Sequence, residues 1–112
     1  MNLVINMPIG RLSHRLTLER EVRSADGGGG AGVAWEAAGE MWGAVEELNG
    51  TERIRADRIS GEANALITIR YRSDVVPAMR FRIGTQIYHV LAVLDGDGCR
   101  RFLRCQCQRR DL

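Results

Sequence analysis

The chain contains no lysine. All sixteen basic residues are arginine, against fourteen carboxylates, which leaves a formal net charge of only +2. An excess that small does not by itself imply nucleic-acid binding. Arginine alone suits planar, bidentate contacts at interfaces, although the abundance of alanine and glycine favours a GC-rich coding bias as its source. Aromatic residues make up 5% of the chain, too few for the ladder of stacking side chains that single-stranded nucleic acids rest on. Cysteine is limited to Cys99, Cys105 and Cys107, an odd number crowded into the last segment. Cys105 and Cys107 are two apart and lack the intervening turn of a zinc knuckle, so they read as buried free thiols in a reducing compartment. No apolar run reaches membrane-spanning length. Met1 to Met7 has no basic start, so no signal peptide is expected and the chain should be made in the cytosol.

What is present is alternation. In the stretch from Ala65 to Asp95, Ala65, Ile67, Ile69 and Tyr71 fall on one face of a pleated strand, while Thr68, Arg70 and Arg72 fall on the other. Pro77 cannot donate to a ladder and breaks the pairing that follows. Arg80–Ile83 and Gln86–Leu94, separated by Gly84-Thr85, read as a tight hairpin.

The flanks follow the same logic. Residues 1–10 are expected to be an extended arm. The first strand places His14, Leu16, Leu18 and Val22 inward, with Arg15, Thr17, Glu19 and Glu21 outward. Residues 24–32, SADGGGGAG, form a flexible loop joining two strands of a long hairpin; without a following Lys-Ser or Lys-Thr pair they do not make a phosphate-binding loop. Val33–Leu48 is the next strand, broken near Gly39. Trp42 is expected in the core and Trp35 at a contact surface. Residues 49–61 change period. Thr51 can cap a short polar helix, with Ile54, Arg58 and Ile59 at helical spacing and Gly61 as its stop. Asp95–Gly98 is a turn that lacks the distal carboxylates of a calcium loop. Cys99–Arg109 is the last strand, with Leu103, Cys105 and Cys107 facing inward. The sum is one mainly β domain over residues 1–112: a compact antiparallel β-barrel or sandwich of about six strands with one short inserted α-helix.

Candidate catalytic residues are lacking. His14 reads as an end-of-strand histidine and His89 as a packing residue. No nucleophile–base pair, metal cluster or cofactor motif stands out, so the chain is not expected to be an enzyme.

Several pieces resemble the head–tail joining, or head-closure, family of tailed bacteriophages and gene transfer agents. They are Ile9-Gly10-Arg11-Leu12 leading into Arg15–Arg20, Met41–Glu46 with Gly50, Ile69–Arg80, Ile87–Val90, and Arg101–Cys105. Their order, their spacing and the total length carry the resemblance. The run Gly27–Gly30 and the Cys-Gln-Cys ending depart from the family pattern. The resemblance implies a small barrel assembled as a ring, commonly a dodecamer, below the portal and its adaptor ring. That ring would prolong the channel for double-stranded DNA, help retain the packaged DNA and dock the tail.

Within that frame, residues 24–62 hold eight carboxylates and three arginines between two basic flanks. Glu46, Glu47, Glu52, Arg53, Arg55 and Arg58 are the candidate channel or inter-subunit residues. Trp35, Arg100, Arg101 and Arg104 are candidate interface residues. The alternative is a small β-barrel nucleic-acid-binding module.

Overall fold

The computed structural model describes residues 12–25, 31–48, 63–95 and 99–111. Six strands occur in chain order: β1 (His14–Ala25), β2 (Ala31–Glu47), β3 (Ala65–Arg70), β4 (Arg80–Ile83), β5 (Gln86–Asp95) and β6 (Phe102–Asp111). They close into one antiparallel barrel in the order β1-β2-β3-β6-β5-β4, with β4 returning to β1 through Thr17–Glu19. The expected arm and helix, like most of the glycine loop, lie outside the described residues. The β1–β2 ladder itself runs on to Ala25↔Ala31, so pairing continues into both ends of the 24–32 stretch.

The barrel forms because one face of every strand is apolar. Leu16, Leu18, Ile67, Ile69, Phe81 and Cys105 are fully buried, and alternation sends their neighbours outward. Gly43 is the small member of this interior. A methyl group added there would stand 2.4 Å from Leu16 Cδ1 and 3.1 Å from both Ile69 Cγ2 and the Thr68 carbonyl oxygen. Glycine therefore lets β1 and β3 pack across β2. That choice of inner face overturns the expected burial of Trp42. Met41, Gly43 and Val45 point in, so Trp42 points out and is 52% exposed.

Three smaller corrections share one cause, the end of the barrel. His14 is exposed, because β1 begins there, beside Gly43, with no further strand to cover it. Tyr71 is 36% exposed, because β3 stops at Arg70. Val22 is only half-buried, because β1 has already left the barrel. The break expected near Gly39 is a bulge: Leu18 faces Gly39 but Glu19 faces Ala37, which leaves Ala38 as the extra residue. A second bulge places Leu91 between Val90↔Cys107 and Ala92↔Gln106.

The two linkers around β4 follow their turn residues. Pro77 and Ala78 are the central residues of a turn closed by Met79 N–H donating to the Val76 carbonyl at 3.3 Å. The positive φ of Ala78, 80°, is the type II value usually left to glycine. Val75 and Met79 drop into the core from this link. Arg72 forks onto the Asp74 carboxylate at 2.9 and 2.8 Å. The hairpin at Gly84-Thr85 has positive φ at Gly84 alone, as a II′ turn needs.

Candidate functional site

Past Glu19, β1 and β2 have no other ladder partner among the described residues. Pairing with β4 ends at Glu19, and pairing with β3 begins only at Gly43. Residues 20–25 and 31–36 thus form a two-stranded ribbon beyond the barrel, in a chain whose extents are 55 × 27 × 25 Å. Val33 near its end is 54% exposed. Its charges are paired within it: Arg20 with Glu36 at 2.7 Å and Arg23 with Glu21 at 2.6 Å.

The base of the ribbon is clamped to the barrel. Glu19, only 6% exposed, accepts from Arg80 Nε at 2.7 Å and is 3.1 Å from Arg82 Nη2. The Trp35 ring covers the Arg80 guanidinium at 4.0 Å and meets the His89 ring edge-on at 6.0 Å. Register explains the gathering. Glu19 faces Arg80 across β1–β4, and Arg80 faces His89 across β4–β5. The bulge at Ala38 rotates Trp35 onto the same side. Burial, followed by the nearby Arg110 and Arg80 charges, lowers the His89 pKa.

A second feature lies on the outside of the barrel wall. Arg15 faces Trp42, with its guanidinium 5.6 Å from the indole. Trp42 and Arg70, one step beyond Gly43↔Ile69, line a groove of about 600 Å³ together with Leu12 and Met41. Arg70 faces Phe102. Four neighbouring strands therefore present the row Arg15, Trp42, Arg70, Phe102, cation and aromatic in turn. Sequence reasoning missed it because the four are far apart in the chain and only the register aligns them.

The expected site residues separate. Glu46 and Glu47 are exposed at the end of β2 that adjoins Ala65 and Cys107, and Glu47 pairs with Arg109. Asn64 holds this end together. Its carbonyl accepts from Leu48 N–H at 3.0 Å, its N–H reaches the Cys107 carbonyl at 2.9 Å, and its side chain accepts from Arg109 N–H at 2.7 Å. The chain therefore departs at Leu48 and returns at Asn64 on one spot. Glu52, Arg53, Arg55 and Arg58 lie outside the described residues. Arg100 and Arg101 are exposed and Arg104 is half-buried; they sit toward the other end of the β3–β6 ladder, where the Arg101 carbonyl accepts from Tyr71 N–H. Trp35, expected at a contact surface, is half-buried in the clamp.

Among the described residues no group of three His, Cys, Asp or Glu side chains is placed to hold a metal ion. Burial pushes the Cys105 thiol up to about 12 and raises Cys107 as well, so neither supplies a thiolate near neutral pH.

The model of the phage head completion protein family matches residues 7–110. Among solved structures, the chain is similar to protein SF1141 from Shigella flexneri 2a, with 26% identity and a TM-score of 0.74 over 91% of this chain and 96% of that one. It is also similar to a chain of the virion of the native gene transfer agent particle, with 29% identity and a TM-score of 0.59 over 89% of this chain and 94% of that one. No curated protein matches.

Proposed function

The chain belongs to the phage head completion protein family, and from that premise we propose that it is the connector subunit between head and tail. It is a structural component of a phage-type head, located in the virion or a phage-like particle. In the proposed role, copies form a ring below the portal and its adaptor. The ring prolongs the channel for double-stranded DNA, helps retain the packaged DNA and offers the tail a docking surface. One observation carries this reading: the family match spans residues 7–110, so it covers the whole barrel and both strands of its ribbon.

A ring needs two unlike surfaces that fit one another, because head-to-tail contacts close a circle only then. The charges allow this. Glu46 and Glu47 lie at one end of the β3–β6 ladder, and Arg100 and Arg101 lie toward the other. In this reading acidic groups of the 46–62 segment approach the channel or the next subunit. Carboxylates at a channel wall repel phosphate and favour passage, whereas Arg53, Arg55 and Arg58 would hold DNA weakly without sequence preference. Replacing Glu46, Glu47 and Glu52 with Gln is expected to alter DNA retention or ejection; unchanged infectivity or gene delivery would count against that assignment.

Deletion of the gene followed by electron microscopy tests the role itself. Tailless heads that fail to retain DNA are expected, and normal tailed particles would refute it. The row Arg15, Trp42, Arg70, Phe102 favours one second reading, a nucleic-acid-binding barrel, since aromatic and basic groups share one sheet face. Salt-dependent binding of single-stranded DNA by the isolated chain would support that reading, and no binding at low salt would remove it.

A further inference from the structure

The wall that carries Trp42, Arg70 and Phe102 runs on for one more pleat. Thr68 faces Ala44 on one side and Arg104 on the other, and Arg104 faces Leu94, so Arg104 and Leu94 share that outer face. Its apolar groups are large and open: Trp42 is 52% and Leu94 37% exposed, with Phe102 half-buried on a strand between theirs. Its cations are unmatched. Elsewhere carboxylates hold arginines, as Glu36 holds Arg20 and Glu19 holds Arg80. Arg70 and Arg104 meet no carboxylate among the described residues. Open apolar groups rimmed by polar ones mark interaction sites, and a guanidinium gains most from a carboxylate it can fork onto.

We propose that this face docks an acidic, extended segment of another virion protein, with one apolar side chain anchored in the groove beside Trp42. This rests on the virion location alone, not on the position between head and tail. The groove, about 600 Å³ and lined by Leu12, Met41, Trp42 and Arg70, has the size and apolar walls of a site that buries an anchor. Arg70 and Arg104 are diagonal neighbours across the β3–β6 ladder, which sets them about 7–8 Å apart. Alternate residues of an extended chain stand about 7 Å apart on one side. Two carboxylates at such a spacing therefore reach both guanidiniums, while the anchor next to them fills the groove.

The same face suits nucleic acid less well. Stacking of bases needs open aromatic rings, and Phe102 is half-buried while Leu94 has no ring at all. The cation beside Trp42 is already neutralised: Arg15, 5.6 Å from the indole, pairs with the exposed Glu40 at 3.3 Å, a carboxylate that repels phosphate. A second copy of the chain is also the poorer match. Among the described residues, Glu36, Glu40, Glu47 and Asp74 are engaged by arginines of their own chain. The free acid must come from elsewhere.

The test follows the chain into particles. Arg70→Glu with Arg104→Glu reverses the two free charges, and Arg70→Lys with Arg104→Lys keeps charge but removes the fork. Both alter the barrel exterior, so melts of the purified chains should match the parent. Immunoblots of purified particles read incorporation, which is expected to fall at least about tenfold for the reversal and by less for the lysine pair. Undiminished incorporation of the folded reversal variant overturns the proposal. Leu94→benzoylphenylalanine, irradiated in assembled particles and read by mass spectrometry, identifies the occupant. A crosslink to a carboxylate-bearing segment of a different virion protein is expected; a crosslink to DNA, to a second copy of the chain or to nothing overturns it. Should particles without the chain be normally tailed while that crosslink forms, the connector role falls and this contact stands.

Discussion

Barrel and ribbon are built from the same two strands under different conditions. Between Leu16 and Glu19, β1 has β2 on one side and β4 on the other, and Leu16 and Leu18 are fully buried. A few residues further along, the same strands pair only with each other among the described residues, and Val33 stands 54% exposed. Burial of apolar side chains stabilises the first region, at about 1.5–3 kcal/mol for each large aliphatic or aromatic residue. Nothing comparable stabilises the second, so its shape depends on its root. The difference shows how one hairpin can be scaffold at one end and attachment at the other, with a single bulge and a single clamp marking the boundary.

The largest expected effect comes from breaking that boundary. Glu19→Ala leaves the Arg80 guanidinium, 8% exposed, without its carboxylate. Loss of one partner from a buried pair costs about 3–5 kcal/mol, readable as a lower denaturation midpoint. Glu19→Gln, which keeps an acceptor oxygen, is expected to lose less. If Glu19→Ala unfolds like the parent chain, the clamp is not the root of the ribbon and the contrast between the two regions weakens.

Next in size is a change inside the barrel. Gly43→Ala drives a methyl group against Leu16 Cδ1 and the Thr68 carbonyl oxygen. Leu16 is fully buried, so overpacking of about 1–3 kcal/mol is expected in urea unfolding. A neutral outcome would mean that β2 shifts freely against β1 and β3, which the closure of the barrel opposes.

Legibility in the sequence follows the same division. Six strands, the Gly84-Thr85 hairpin and the inward set Leu103, Cys105 and Cys107 were readable, because a two-residue period needs only a buried face to become visible. The face of β2 was not. Met41–Val45 is apolar on both sides, so size favoured burying Trp42, whereas closeness favoured Gly43. The clamp was equally hidden. Glu19 reads as an outward carboxylate, and only the β1–β4 register brings it to Arg80, 61 residues away in the chain. Trp35 was picked out as a contact residue for its size, without any sign of the cation it covers. The candidate row Arg15, Trp42, Arg70, Phe102 depends on three successive strand registers, none of which alternation alone determines.

A smaller effect, confined to the ribbon root, is expected from acid. The folded state holds His89 below its ordinary pKa, chiefly through burial. An unfolded chain therefore binds a proton near pH 6.5 that the native state still resists. Stability is complete above that value, declines as pH falls through it, and levels off below the folded pKa. Asp74 behaves separately. Its carboxylate is held below the ordinary range by the Arg72 hydrogen bonds, so its contribution is lost only below about pH 4. Melts between pH 7 and 5 should fall for the parent chain and flatten for His89→Gln. An identical slope in both would place the titrating group elsewhere in the barrel.

The smallest effect sharpens the contrast most. Trp42→Ala removes a large side chain that is already 52% exposed and touches Arg15 from the solvent side. Surface truncations of this kind stay within about 0.5 kcal/mol. Trp35→Ala removes the lid from Arg80 and the edge contact to His89, and a covered cation over an indole is worth about 0.5–2 kcal/mol. The order of the two tryptophans by stability is thus the reverse of the order their strand pattern suggests. Paired thermal melts of the two alanine variants decide it: a larger loss for Trp42 would put that indole back in the barrel interior and leave the ribbon root without its cover.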